Sequence, residues 1–500
     1  MSPADADLLP SSPPGADALA VVVTAGVTPY LRRTLRAVAR QTRAPGVVLL
    51  IDVASRGNGL GDGTPVEEAV SGSGLDARSR ARIVHVPEAE GFGDAVVRGL
   101  DRYADLVETG VRRNSPAADR SSQDVGGPED SRAPEDIEAP AAGETGSRGA
   151  VDGGHRCDWL WLLHDDAAPA PTCLEALLVA PPELSRKALL TAVAEARSAA
   201  LVGPKQVDWN RPERLLEVGL RTTVSARRAN DVVPGEIDQG QHDDRSDVLA
   251  VGTAGALIDR AVWEELGGTS PAFPVFDDGL ELSRAVRLAG HRVVVVPRAV
   301  IRHRRASYLG LRPSQNDGRG RSDVRTRLSA PRVRAPDPDP ERSFRARRTA
   351  QLTAWATFST RPIGLLLIWF LVLGVVRAGW RLLTKSPALA RDELRAALTV
   401  SRRAGAVRRG RRRLAAHATV RRSVLTRLYV DPVEIRSVRR DRARQERERS
   451  TRATAPSELE VRELAALARR RRLVLAGTLA VAVLAAGVGL SRVLMTRTVT

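Results

Sequence analysis

An α/β fold is predicted for this chain, and three observations carry it. Short apolar runs recur, first Ala18–Thr24 (ALAVVVT) and then Val47–Val53 (VVLLIDV), the pattern of strands buried on both faces. Between them lies a segment with Leu31, Leu35 and Val38 at helical spacing. This alternation continues to residue 305, which implies parallel pairing and right-handed crossovers.

The elements follow in order. Thr28-Pro29 offers a cap with proline at the first helical position. Arg82–Val86 reads as a third strand and Asp94–Tyr103 as a second helix. Residues 104–156 are rich in Pro, Gly, Ser, Asp and Glu and poor in apolar residues, so they are expected to form a disordered insertion. The fold resumes at the strand Trp159–Leu163 (WLWLL). Pro171–Val179 reads as a helix, Ala199–Gly203 as a strand, and Val207–Ser225 as irregular hairpin structure. Ala254–Ile258 is a strand, Arg260–Leu266 and Gly279–Ala289 are helices, and Arg292–Val296 is a last strand closed by Pro297.

The 500 residues, 43% of them apolar, suffice for one large core with appendages. The net charge is +18, and Lys187, Lys205 and Lys385 are the only lysines, so the excess is arginine. Abundant Arg, Ala, Gly and Pro fit a GC-rich gene. The charge is uneven, with dense basic stretches at 320–350 and 384–448. A basic block beside an apolar segment reads as a membrane-surface feature. No nucleic-acid partner is expected: aromatics are only 3%, leaving few bases to stack, and no zinc spacing or helix-turn-helix signature is present. Two cysteines, Cys157 and Cys173, make no disulfide framework and are expected to be buried in a reducing compartment. Met1 to Asp17 lacks the basic and apolar regions of a signal peptide.

The expected organisation is a disordered N-terminus at 1–17, a globular domain at 18–305, a basic linker at 306–345, membrane-associated helices at 346–384, a basic helical region at 385–470 and a transmembrane helix at 471–493. Leu473–Leu490 carries no charge and is flanked by Arg469–Arg472 and Arg492, which places the Arg469 side in the cytoplasm. Pro362–Leu383 is left open between a span, an interfacial helix and half of a helical pair with Ala350–Ser359.

Four groups of residues can carry chemistry. His164-Asp165-Asp166 follows the strand WLWLL, at the strand end where open α/β sheets bind ligands. Adjacent carboxylates there suit a divalent cation, which would hold a diphosphate. Loop aspartates also form turns. Asp277-Asp278 opens the helix Gly279–Ala289, where the dipole favours acids; a carboxylate there can take a proton from a hydroxyl, and its like-charged neighbour would raise its pKa. His303 follows the last strand, and neutral imidazole ligates metals. Thr24-Ala25-Gly26 and Asp52 end the first two strands and can hold a base and ribose. Gly91-Phe92-Gly93-Asp94 is not the dinucleotide fingerprint.

In sequence order, AVVVTAGVTPYLRRTLRAVARQT, LLIDVAS, EGFGDAVVRGL, WLWLLHDDAAPAP, GTAGALIDRAVWEELGG and FDDGLELSRAVRLAGHRVVVVPRAVIRHRRAS resemble family 2 glycosyltransferases of the GT-A fold, over residues 18–305 without the insertion. The resemblance implies a Rossmann-like mixed sheet flanked by helices and inverting transfer from a nucleotide-diphosphate sugar. It implies Asp278 as catalytic base with Asp277 beside it. It makes Asp166, Asp165 and His303 ligands of Mn²⁺ or Mg²⁺, and Thr24, Asp52 and Asp165 nucleotide contacts. Arg284 matches the family's helix arginine. The family's DxD motif begins with an acid where this chain has His164, and Thr24-Ala25-Gly26 replaces the usual Thr-x-Asn. The arginine-rich tail resembles actinobacterial envelope-polysaccharide enzymes, implying a glycan or lipid-linked acceptor at the cell membrane with the catalytic domain on the cytoplasmic side. The departures motivate an alternative, a non-catalytic GT-A-like scaffold or nucleotide-binding module at the membrane.

Overall fold

A computed structural model describes residues 17–54, 64–75, 79–113, 157–180, 199–229, 231–312, 338–453 and 458–497. The chain divides into two compact units, one up to Val430 and one from Asp431 to Thr500.

The apolar runs form the centre of the first unit. β1 (Asp17–Thr24) pairs in parallel with β2 (Val47–Asp52) and with β4 (Cys157–His164), and β2 pairs with β3 (Arg80–His85). Alternate residues enter two apolar clusters. Leu19, Val21, Leu49, Ile51 and Leu160 join one; Ala20, Val22, Leu50, Trp161 and Leu163 join the other. These strands are therefore covered on both faces, as continuous apolar runs require. Their register sets Thr24 beside Asp52 and Val23 beside His164, so three chain segments turn polar at the same sheet edge.

The sheet has nine strands in the order β3-β2-β1-β4-β10-β6-β11-β5, with β5 at Ala167–Pro169 and β7 (Leu215–Glu217) paired to β6. β6 spans Ala199–Asp208, β10 Leu257–Asp259 and β11 Arg292–His303. The sheet is mixed and GT-A-like. Uniform parallel pairing does not hold: β10 is antiparallel to both β4 and β6. No helix among the described residues crosses over between β6 and β10, and a return without a crossover gives antiparallel strands. β8 (Arg221–Thr222) and β9 (Arg228–Ala229) make a separate ribbon in this excursion.

Helices flank the sheet: α1 (Leu31–Ala39), α2 (Val66–Ser71), α3 (Phe92–Arg113), α4 (173–180), α5 (Arg260–Leu266) and α6 (Asp278–Leu288). α3 runs ten residues past its expected end at Tyr103, because no proline follows until Pro116 and Gly110 alone does not stop it. The rest of the expected insertion, 114–156, lies outside the described residues, as do 1–16 and 313–337. Pro297 does not close the last strand: β11 continues to His303 through a register shift against β6 between Val296 and Val300, where the missing proline N–H leaves no gap in the ladder. That continuation delivers His303 to the site. Cys157 and Cys173 are both buried.

After a 3₁₀ turn at Pro340–Ser343 come α7 (Phe344–Phe358), α8 (Ile363–Leu383), α9 (Pro387–Arg402) and α10 (Ala404–Ala416). Among the described residues one helix, α8, is long and apolar enough to cross a membrane. The second unit holds α11 (Pro432–Ala453) and α12 (Glu458–Arg497). The expected span Leu473–Leu490 lies within α12, whose side chains are described only as far as residue 484.

Candidate active site

The aligned strand ends bring the first group together. Asp52 Oδ1 accepts from the backbone N–H of Gly26 at 2.8 Å and of Ala54 at 2.9 Å, which fixes the Thr24-Ala25-Gly26 turn. His85 Nδ1 stands 3.3 Å from the other oxygen. Thr24 Oγ1 lies 3.5 Å from Asp165 Oδ2. Thr28 was expected to cap α1, yet that helix starts at Leu31 without a side-chain cap. Its hydroxyl instead donates to Asp165 Oδ2 at 2.7 Å.

Asp165 and Asp166 sit just past β4, both buried. Asp165, expected as a second metal ligand, is turned to Thr28 and to the Arg312 guanidinium. Asp166 Oδ2 accepts from the Ala306 N–H at 2.8 Å. Its Oδ1 is buried with no hydrogen-bond partner, and Arg312 Nη2 lies 3.3 Å and His303 Nε2 3.6 Å from it. Burial alone would raise the Asp166 pKa, but Arg312 and His303 outweigh it and hold the carboxyl well below its ordinary range.

His164, Asp166 and His303 offer ligand atoms that all lie within 4.8 Å of one another. His303 Nδ1 is oriented by Gln206 Oε1 at 2.9 Å, the kind of outer partner that fixes a ligating imidazole. Burial pushes the His164 pKa down to about 3, against the opposing charge of Asp166, so this ring is neutral and keeps a lone pair. These residues could hold a divalent cation: a buried carboxylate oxygen without a hydrogen-bond partner stands with two imidazoles, a mixed oxygen and nitrogen donor set. His164, where the chain departs from the usual acidic motif, belongs to this triad.

The second acid pair is connected to the first. His164 Nε2 lies 3.1 Å from Thr253 Oγ1, and that hydroxyl donates to Asp278 Oδ2 at 3.0 Å. α6 can lie this close to the loop holding Thr253 because residue 279 is glycine: a Cβ there would stand 2.5 Å from the Val251 carbonyl oxygen and 2.9 Å from the Thr253 nitrogen. Asp277, at φ 61°, turns to Arg228, whose Nε and Nη2 donate to its Oδ1 at 3.1 and 2.9 Å. Burial raises the Asp278 pKa to about 6, with Asp277 adding to the rise; hydrogen bonds from Gly279 and Thr253 and the charge of Arg228 oppose it. Arg284, on the same helix, is fully buried, donates to Thr222 Oγ1 at 3.2 Å, and stacks 4.3 Å over Phe358 and 5.3 Å from Tyr429. It joins the acidic helix to the helical region that follows.

The family model for "Glycosyltransferase like family 2" matches residues 14–319, more than half of the 500-residue chain. The chain belongs to this glycosyltransferase family. No curated protein matches it by sequence. Among solved structures, this glycosyltransferase is similar to GalNAc-T7 with UDP, GalNAc and Mn²⁺ at TM-score 0.34 and 11% identity, over 58% of this chain and 44% of that one. The S. aureus TarS 1-349 structure with UDP gives 0.33 and 9% over 70% and 68%. The mannosyltransferase PcManGT from Pyrobaculum calidifontis with GDP-Man and Mn²⁺ gives 0.31 and 15% over 79% and 89%. The chain thus spans less than half the length of GalNAc-T7. Superposition at this level is weak, so the family rests on the sequence match.

Thr28, Gln206, Arg228, Thr253 and Arg312 escaped the sequence reading. Thr28 and Thr253 lie within stretches that resemble the family, and Thr28 reads locally as a helix cap; nothing local marks the others.

Proposed function

We propose that this glycosyltransferase is inverting, and that it moves a sugar from a nucleotide-diphosphate sugar to a hydroxyl of a cell-envelope glycan or lipid-linked acceptor. The observation that carries the reading is Asp278: a buried carboxyl raised to about 6, one threonine away from the metal triad. Asp278 accepts the acceptor's hydroxyl proton. The acceptor oxygen then bonds to the anomeric carbon as the bond to the diphosphate breaks, and the diphosphate leaves with the electron pair. A single displacement needs one base and no protein nucleophile. A cation held by Asp166, His303 and His164 would neutralise the leaving diphosphate. Thr24 and Asp52 edge the nucleotide subsite, and Asp165 anchors its floor through Thr28.

The apolar α8 and the arginine-rich segments beside it support a place at the cell membrane, with the catalytic domain on the cytoplasmic side. The test is a donor screen with full-length protein, Mn²⁺ and a lipid-linked acceptor. Turnover of one donor, lost on chelation, is expected; turnover unchanged by chelation would remove the cation from the reading.

One observation favours a second reading. Arg312 rests on both Asp165 and Asp166, supplying the positive charge a cation would bring, as in a non-catalytic scaffold. Calorimetry with nucleoside diphosphates and Mn²⁺ separates the two: no binding of any common nucleotide selects the scaffold.

A further inference from the structure

We infer that α8 lies in the plane of an anionic membrane leaflet, its apolar face in the acyl boundary, and does not cross the bilayer. This rests on the membrane reading above and adds the orientation. Length alone is ambiguous: 21 residues extend about 31 Å at ~1.5 Å each, close to the ~30 Å hydrocarbon core.

The sides of the helix decide. Leu366, Phe370, Gly374 and Ala378 are its buried residues, a single stripe at four-residue steps. A Cβ at Gly374 would stand 3.1 Å from that of Ala397 on α9. Phe370 meets Trp355 of α7 with ring centroids 5.0 Å apart. Near the other end, Arg381 reaches the ring of Phe344, 5.4 Å away at the start of α7. α8 is thus fastened lengthwise to α7 and α9. Those two are joined by the buried ion pair Arg348–Glu393 at 2.8 Å, and Ala354 and Trp355 of α7 pack with Leu220, Phe273 and Leu280, the last of them on α6. A transverse α8 would carry α9 to membrane depth with it, including the exposed Arg391, Arg395 and Arg402. Charges at that depth are strongly disfavoured. An in-plane α8 leaves them in water.

The outward side is uncharged. Leu365, Ile368, Trp369, Val372, Val376 and Trp380 are exposed and, at 3.6 residues per turn, lie roughly opposite the buried stripe. Both charges on α8 fall on the packed side: Arg381 over Phe344, and Arg377 acting on Arg348. One broad apolar face with the charges behind it is the pattern of an interfacial helix. Exposed arginines on α9 and Arg361 just before α8 select anionic headgroups. The tryptophans suit the interface. A second copy would bring the same arginines against these and be repelled.

The experiment adds one cysteine at a time to the full chain, beside the buried Cys157 and Cys173, at Arg361, Leu365, Val372, Val376 and Thr384, all exposed, in vesicles of phosphatidylcholine with phosphatidylglycerol. An impermeant maleimide should label Arg361→Cys and Thr384→Cys from the same side as the catalytic domain. Spin labels at Leu365→Cys, Val372→Cys and Val376→Cys should report one common shallow depth. Ends labelled from opposite sides, with Val372→Cys deepest, would overturn the in-plane orientation and leave the membrane reading standing. Labels that report water at every position would overturn lipid contact by α8 itself. Spin–spin broadening between copies would identify a second chain as the occupant and overturn the inference as well.

Discussion

Asp165-Asp166 and Asp277-Asp278 are alike as sequence: two adjacent acids, both members buried, each pair with an arginine against it. They differ in where the arginine lands. Arg312 reaches across both acids of the first pair, and with His303 it overcomes burial to keep Asp166 well below the ordinary carboxylate range. Of the second pair, Arg228 hydrogen-bonds Asp277, and Asp278 faces a neutral threonine hydroxyl instead. Burial then dominates, and its pKa rises to about 6. An acid held ionised is suited to bind a cation, and one held near neutrality is suited to move a proton. The division of labour follows from the placement of two cations that lie far from the acids in sequence.

The largest expected effect tests the proton-moving side. Asp278→Asn should lower kcat by about 10²- to 10⁴-fold, while calorimetric donor binding stays within a few-fold. Wild-type activity should rise as pH passes about 6, because the ionised carboxylate is the active form. Stability runs the other way. The folded pKa lies above the ordinary 3.8, so the folded state favours the protonated form. That stabilisation is complete below the ordinary pKa and is lost as pH rises through about 6. Asparagine carries no charge to desolvate, so the variant should melt above wild type at pH 8, by on the order of 1–3 kcal/mol, and close to it at pH 4. A variant that loses activity and stability together at pH 8 would point to a structural role for Asp278.

A smaller effect tests the cation-binding side without touching a ligand. Gln206 orients His303 through Nδ1, so Gln206→Ala should weaken Mn²⁺ binding by about 10- to 100-fold, read by electron paramagnetic resonance titration. Unchanged affinity would mean that His303 does not hold the ion, and the cation-binding role given to the first acid pair would need another basis.

What was legible in the sequence follows from the same distinction. The apolar runs ending at Thr24, Asp52 and His164 announced both the strands and the edge where chemistry gathers, because strands buried on two faces leave little choice of residue. Asp277-Asp278 was visible as an acid pair at a helix start. Arg228 and Arg312 were not, since each reaches its acid from a distant segment and no periodicity records such a pairing. The same holds for Thr28, which reads locally as a helix cap and is spent on Asp165, and for β10, whose antiparallel pairing depends on the path of an irregular excursion. Pro297 misled for a local reason: a bulge absorbs the missing donor, and the strand runs on to His303.

The smallest effect sharpens the contrast most directly, by removing the cation that separates Asp277 from Asp278. Arg228 lowers the Asp278 pKa, against the burial that raises it. Arg228→Gln keeps hydrogen-bonding capacity at the ribbon β8–β9 and deletes the charge. The acid limb of the kcat profile should therefore move to higher pH, so that activity near pH 6 falls several-fold while the plateau above pH 8 changes little. A companion Arg312→Gln variant should leave that limb in place, because Arg312 acts on the other pair. If both variants moved the limb equally, the two acid pairs would titrate as one unit, and the separation of ligand from base drawn from their arginines would be wrong.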